Sequence, residues 1–157
     1  MRLHKVFPLL AVLTVLVACT REDPQFSSQL SASGMRETAA AHYESYGRAL
    51  ATPRRSAIAG FYHPDGALIV FNGDAFRQSQ AELKSDYEGQ WNAPAFFEWE
   101  KLTFDSIAPN QMLVTGGFRW LAAGQRDTAR YIYAGMLVPV DSGVRIVFEH
   151  ETLRPKP

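Results

Sequence analysis

The residue of this chain best suited to acid–base chemistry is His150, in the strand-like segment 144–152. A histidine titrates near neutral pH, so it can act as a general base or as a pH-sensitive contact to a ligand. The alternative is a core histidine whose two ring nitrogens are hydrogen-bonded to neighbours and that does no chemistry. The sequence leaves both roles open and favours the structural one.

Arg130 is a second candidate, because its planar guanidinium suits a ligand carboxylate. The alternative is an ion pair with an acidic residue on the surface of a sheet. His63 and Asp65 could form a dyad, but both lie in a turn around Pro64, where polar side chains are common.

The sequence contains no motif that identifies a particular reaction. It has no His-x-x-x-His spacing, no glycine-rich phosphate loop and no serine nucleophile elbow. We therefore expect no metal site and no cofactor.

The single cysteine, Cys19, follows a pattern typical of export signals. Arg2 and Lys5 precede an apolar run, Val6 to Val17, which is too short and wrongly flanked for a membrane-spanning helix. With no second cysteine in the chain, an intrachain disulfide is excluded.

The four residues Leu16-Val17-Ala18-Cys19 resemble the lipobox of bacterial lipoproteins. The resemblance implies that residues 1–18 are removed and that the Cys19 thiol carries a lipid, so that the membrane is a partner through this anchor. Thr20 follows, and not the aspartate of an inner-membrane retention signal. We therefore expect a cell-envelope lipoprotein, at the outer membrane and facing the periplasm if the host is Gram-negative.

Composition divides the remainder into a tether and one domain. Without residues 1–18 the chain has 14 basic and 16 acidic residues, a formal charge of −2, so nucleic acid is not an expected partner. Residues 19–34 are rich in serine and predict a flexible tether. Residues 35–157 predict a single domain of ordinary size.

Within this domain, helices come first and strands later. An apolar and aromatic stripe predicts a helix over 36–50, Thr52-Pro53 predicts the start of a second helix that reaches Tyr62, and a third runs from 79 or 80 to 89. Strands are predicted at 67–71, 96–105, 112–122, 128–140 and 144–152. The short turns between the last four strands favour an antiparallel meander.

This order is that of an α+β fold and resembles the nuclear-transport-factor-2-like cone fold, also called SnoaL-like. The resemblance is carried by residues 59–67, a helix end followed by a Pro-Asp turn, and by 143–152, a final strand with a late histidine before Glu-Thr. Val144 stands where tryptophan is usual. The resemblance implies a cone-shaped, curved antiparallel sheet packed by about three N-terminal helices around an apolar pocket.

Alternation along the last strand separates two faces. The more apolar face, which we expect to line the pocket, carries Val144, Ile146, Phe148, His150 and Thr152. For segments 112–122 and 128–140 the sequence does not decide which face points inward. The pocket candidates are aromatic or placed on these strands: Tyr46, Tyr62, Phe71, Trp99, Phe118, Trp120, Arg130, Phe148 and His150.

The resemblance also implies where isomerase chemistry would lie. Tyr46 falls where ketosteroid isomerases place an oxyanion-hole tyrosine, although simple aromatic packing explains it equally well. Their catalytic aspartate ends the first strand, and the corresponding count from Asp65 reaches Val70, beside Phe71 and Asn72. None of these can take a proton from carbon, so that chemistry is not expected.

Three functions remain open. The first is a non-catalytic module that binds a small apolar ligand in the pocket. The second is a divergent isomerase, cyclase or dehydratase that uses His150 and Tyr46. The third is a protein-interaction module, since cone folds commonly form homodimers through the outer face of the sheet, and we expect a homodimer here.

Overall fold

The computed structural model describes residues 31–53, 55–89 and 91–155, except the side chain of Ala32. Residues 1–18, Cys19 and the tether up to residue 30 lie outside this part of the chain. Among the residues that are described, none of the helices has the length and apolar character needed to cross a membrane.

The α+β fold is confirmed. In the described residues, two α-helices, one 3-10 helix and six strands follow one another. Their bounds are α1 Ala32–Leu50, the 3-10 helix Arg55–Phe61, β1 Ala67–Phe71, β2 Asp74–Gln78, α2 Gln80–Gly89, β3 Phe96–Ala108, β4 Gln111–Leu121, β5 Ala129–Val140 and β6 Gly143–Leu153.

Helix α1 packs on the sheet through one stripe of its surface. Buried residues recur at steps of three and four, which places them on one face of a helix: Met35, Ala39, Tyr43, Tyr46 and Leu50. Ser31 caps the helix by accepting a hydrogen bond from the Gly34 amide at 3.1 Å. Because of this cap the helix begins at Ala32, so residues 32–34 belong to the helix and not to the predicted tether.

The six strands form one sheet in the order β2-β1-β6-β5-β4-β3. The predicted antiparallel meander of the last four strands is confirmed. Strand β2 was not predicted, because Asp74-Ala75-Phe76-Arg77-Gln78 is short and mostly polar. It pairs with β1 across a turn at Asn72 and Gly73, whose φ angles of 50° and 99° suit a tight hairpin. β1 in turn lies parallel to β6.

A β-bulge in β6 reverses the face that its side chains present. Met136 of β5 pairs with Phe148, whereas the next residue, Leu137, pairs with Ile146, so Val147 has no partner of its own. Such an extra residue shifts the alternation by one position. Val144 and Ile146 therefore point into the core as expected, but beyond the bulge Glu149 takes the inward position.

The predicted pocket face of the last strand is thus correct only before the bulge. Ile69 of β1, which faces inward, pairs with Glu149, while the next residue, Val70, pairs with His150. Paired residues share a face. Phe148, His150 and Thr152 consequently lie on the outer, convex face of the sheet.

Gly135 of β5 makes room for a pair of buried tyrosines. The hydroxyls of Tyr43 and Tyr133 lie 2.8 Å apart, and a Cβ at position 135 would come within 2.3 Å of the Tyr43 oxygen and 2.7 Å of the Tyr133 oxygen. Real Cβ atoms do not approach so closely. A side chain here would separate the two hydroxyls.

We therefore expect Gly135→Ala to lower the free energy of unfolding by about 1–3 kcal/mol through overpacking. Gly60→Ala is the matched control, because a Cβ there meets no atom within 4 Å. Urea denaturation followed by tryptophan fluorescence measures both. Equal stabilities of the two variants would contradict the close packing over Gly135.

Candidate functional site

The concave face of the sheet and the helices enclose a cavity of about 440 Å³. Its deep end is formed by buried polar side chains, among them Tyr46, Tyr62 and Glu149, which are at most 3% exposed. Phe71 and Phe76 lie at the open end and are 42% and 43% exposed. Between the two ends the wall is mostly aromatic.

Glu149 is the polar group on which the deep end is built. The Tyr62 hydroxyl donates a short hydrogen bond to its Oε2, and the Tyr46 hydroxyl donates to Oε1 at 3.2 Å. The Tyr46 and Tyr62 oxygens are 2.6 Å apart, and the Tyr87 oxygen lies 3.1 Å from that of Tyr62. The hydroxyls of Tyr46 from α1 and of Tyr62, just after the 3-10 helix, thus converge on one carboxyl group of the sheet, and Tyr87 of α2 joins them through Tyr62.

Burial sets the protonation of this cluster. It raises the pKa of Glu149, and the hydrogen bonds from Tyr62, Tyr133 and Tyr46 oppose that rise because they stabilise the charged form. Burial and then the Glu149 charge raise the pKa values of Tyr46 and Tyr62 well above 10. The tyrosines therefore keep their protons and serve as donors.

Glu151 is the second acidic group of the cavity. It lies two residues beyond Glu149, and burial followed by the Glu149 charge raises its pKa well above 4.5. Within 31–53, 55–89 and 91–155, no side chain or amide donates a hydrogen bond to its carboxyl group. Of the two acidic groups that β6 contributes to the cavity, only Glu149 is hydrogen-bonded within the described residues.

The cavity brings together five of the predicted pocket candidates: Tyr46, Tyr62, Phe71, Phe118 and Trp120. Trp99 lies beside the cavity, in the packing beneath it, where its indole nitrogen donates to the Tyr43 carbonyl at 3.0 Å. The aromatic residues are therefore mostly placed as the sequence predicts.

The charged and polar candidates are not in the cavity. Arg130 contacts Glu100 at 3.1 Å on the outer face of the sheet, which is the surface ion pair that the sequence left as the alternative. His150 is bonded through Nε2 to the Thr152 hydroxyl at 2.9 Å on the same outer face, and Phe148 shares that face. The expected roles of Phe148 and His150 in the pocket are wrong because of the bulge at Val147.

The other two histidines of the folded domain offer no catalytic arrangement. His63 and Asp65 lie 3.7 Å apart in a surface turn. His42 packs against Phe61, with ring centres 5.2 Å apart, and burial together with the Arg145 charge lowers its pKa to about 4. In the described part of the chain no three His, Cys, Asp or Glu side chains are grouped to hold a metal ion.

Sequence reasoning missed Glu149 and Glu151 as site residues. Strict alternation put them on the solvent side, where glutamates in a strand are ordinary. A bulge carries no residue signature of its own, and Val147 is a common strand residue. The one available signal was that two glutamates flank His150 just after the apolar run Ile146-Val147-Phe148.

Comparisons with known proteins identify the fold and nothing finer. No family model and no curated protein matches the chain. An NTF2-like protein of unknown function from Pseudomonas putida has a TM-score of 0.66 and 13% identity, covering 80% of this chain and 98% of its own. A "putative calcium/calmodulin dependent protein kinase II association domain" from Xanthomonas campestris has a TM-score of 0.63 and 18% identity, covering 76% and 87%.

A "putative ketosteroid isomerase" from Parabacteroides distasonis is similar as well, with a TM-score of 0.61 and 10% identity over 76% of this chain and 87% of that one. At such identities the likeness shows the fold alone. The domain therefore has the NTF2-like cone fold, a class that includes proteins with quite different names.

Tyr62→Phe tests the hydrogen bond to Glu149. We expect it to cost about 1–3 kcal/mol of unfolding free energy near pH 8, because the carboxylate loses a donor. The loss also raises the Glu149 pKa further, so the cost should shrink as the pH falls and Glu149 becomes protonated in both proteins.

Urea titrations near pH 8 and pH 5 measure this difference. Tyr131→Phe is the control, since the Tyr131 hydroxyl makes no hydrogen bond within the described residues. A cost that is the same at both pH values would contradict the assignment of Tyr62 as a donor to the Glu149 carboxylate.

Proposed function

We propose that the chain is a membrane-anchored lipoprotein whose cone domain binds a small, largely apolar molecule without transforming it. The cavity of about 440 Å³ carries this proposal. Pockets of this size with aromatic walls and a few polar groups are typical of small-molecule sites. Trp91, Phe118 and Trp120 supply such walls, and Glu149 with its tyrosines supplies the polar end.

The positions of His150 and Arg130 support a binding function over the alternative of an enzyme that uses His150. His150 and Arg130 lie on the outer face, so neither can reach a ligand inside. Glu149 already accepts hydrogen bonds from two tyrosines, which makes it a poor proton acceptor for a substrate.

The anchor belongs to the same proposal. A lipid on Cys19 would hold the domain at a membrane, and a random coil between Cys19 and the start of α1 would span about 20 Å. The sequence pattern around Cys19 supports this assignment. The cavity would then lie near a membrane surface, within reach of lipid-derived or cell-wall-derived molecules.

A second candidate is an enzyme of the isomerase, cyclase or dehydratase type that uses Glu151. The carboxyl group of Glu151 faces an apolar cavity without a hydrogen-bond donor in the described chain, and its pKa is raised. A general base that works near neutral pH needs such a setting. Tyr46 would remain its partner as a hydroxyl donor.

Binding can be tested with N-phenyl-1-naphthylamine, an apolar probe that fluoresces in dry sites, on the protein carrying Cys19→Ser. We expect saturable binding. Ile69→Trp, which fills the cavity from β1, should weaken it at least tenfold. Ile107→Trp, at an exposed position near the end of β3, is the matched control and should bind as before. Absence of binding, or equal binding by both variants, would overturn the proposal.

The same protein separates binding from catalysis. Molecules that co-purify with it can be extracted, identified by mass spectrometry and returned to the protein in D₂O. Recovery of the unchanged molecule without deuterium supports the binding function. Incorporation of deuterium at carbon would favour the enzyme and contradict the non-catalytic proposal.

The expected homodimer is also part of the proposal, with the convex face of the sheet as the contact. Ile132 supports it, because this side chain is 47% exposed on the central strand β5. We expect Ile132→Glu to give monomers in sedimentation velocity, while Ile107→Glu, near the end of β3, leaves dimers. Monomers of the unmodified protein at all concentrations would rule out the dimer.

A further inference from the structure

The charged residues that line the cavity all have the same sign. They are Asp86, Glu149 and Glu151, and no lysine, arginine or histidine is among the lining residues of the described chain. No ion pair of the described residues involves Glu149 or Glu151. An acidic group in an apolar cavity is costly unless a cation or a set of donors compensates it.

Glu149 and Glu151 differ in how they are compensated. Tyr46 and Tyr62 donate to Glu149, so its charge is stabilised by the protein itself. Glu151 has no such donor and is placed at the cavity wall. Its carboxyl group is therefore the open acceptor of the site, and the Glu149 charge lies close enough to raise its pKa.

The aromatic wall adds a second feature that suits a positive charge. Phe118 and Tyr131 are stacked with ring centres 4.7 Å apart at 7°, and Trp91 and Trp120 meet edge to face at 5.1 Å. Aromatic faces attract ammonium groups within about 6 Å of the ring centre. Glu151 lies near one of these rings, since it pairs with Phe71 of β1, whose ring is stacked on that of Tyr131 with centres 6.4 Å apart.

We propose that the ligand of this cavity is a small aromatic or aliphatic amine, whose ammonium group is bound by Glu151 beside Glu149 while its apolar part lies against the aromatic wall. This inference rests on the proposed binding function and names the class of ligand. A neutral apolar molecule would leave Glu151 without a partner. An anion would meet two acidic groups and no cation.

The same assignment predicts that binding releases protons. The other titratable groups that line the cavity with Glu151 are Tyr46 of α1, Tyr62 just after the 3-10 helix, Asp86 and Tyr87 of α2, Tyr131 of β5 and Glu149 of the same strand. None of them is a cation, so the free site favours a protonated Glu151. A bound ammonium would favour the ionised form, so binding should release protons and strengthen as the pH rises, until the amine itself loses its charge.

The test compares two probes of nearly equal shape, 2-(2-naphthyl)ethylamine and 2-(2-naphthyl)ethanol, by isothermal titration calorimetry at pH 7.5. The protein carries Cys19→Ser. We expect the amine to bind at least tenfold more tightly than the alcohol. Titration of the amine in two buffers of different ionisation enthalpy should show release of protons.

Two variants show which side chain causes the preference for the amine over the alcohol. Glu151→Gln should bind the two probes equally, and His150→Gln, on the outer face, should keep the preference for the amine. Equal affinities for the unmodified protein would overturn the inference while leaving the proposed function intact. A preference that survives Glu151→Gln would also overturn it. Failure of both probes to bind would overturn the proposed function as well.

Discussion

The structure depends on how one buried acidic group, Glu149, is accommodated. A carboxyl group at this depth is unfavourable unless donors surround it, and the hydroxyls of Tyr46 in α1 and of Tyr62, just after the 3-10 helix, supply them. Tyr87 of α2 joins through Tyr62. The helices are thus held to the sheet by directed hydrogen bonds as well as by apolar packing, and the same contacts form the deep end of the cavity.

The bulge at Val147 determines which side chains of β6 face that cavity. Without the extra residue, Phe148 and His150 would face inward and the two glutamates would face solvent. With it, the site changes from one that contains a histidine to one that contains two acidic groups of raised pKa. A single unpaired residue in one strand therefore turns a candidate acid–base site into a candidate site for cations.

The sequence was informative where local pattern controls structure. The stripe from Ala39 to Leu50 predicted α1, and alternation with short turns predicted the strands of the meander. It was uninformative where the outcome depends on pairing between strands. The bulge and the parallel contact of β1 with β6 are set by register, which no single strand reveals, and β2 is too short and polar to be recognised alone. The aromatic half of the site could therefore be predicted, but the acidic half could not.

The central claim is that Glu149 and Glu151 both face the cavity in an apolar setting. Carbon-13 NMR titration of the glutamate carboxyl groups, assigned through Glu149→Gln and Glu151→Gln, tests it most directly. The structure predicts that Glu149 titrates above pH 4.5, that Glu151 titrates well above it, and that occupation of the cavity by a ligand shifts both signals. Titration of both near pH 4.5 would contradict it, because the two side chains would then be in water.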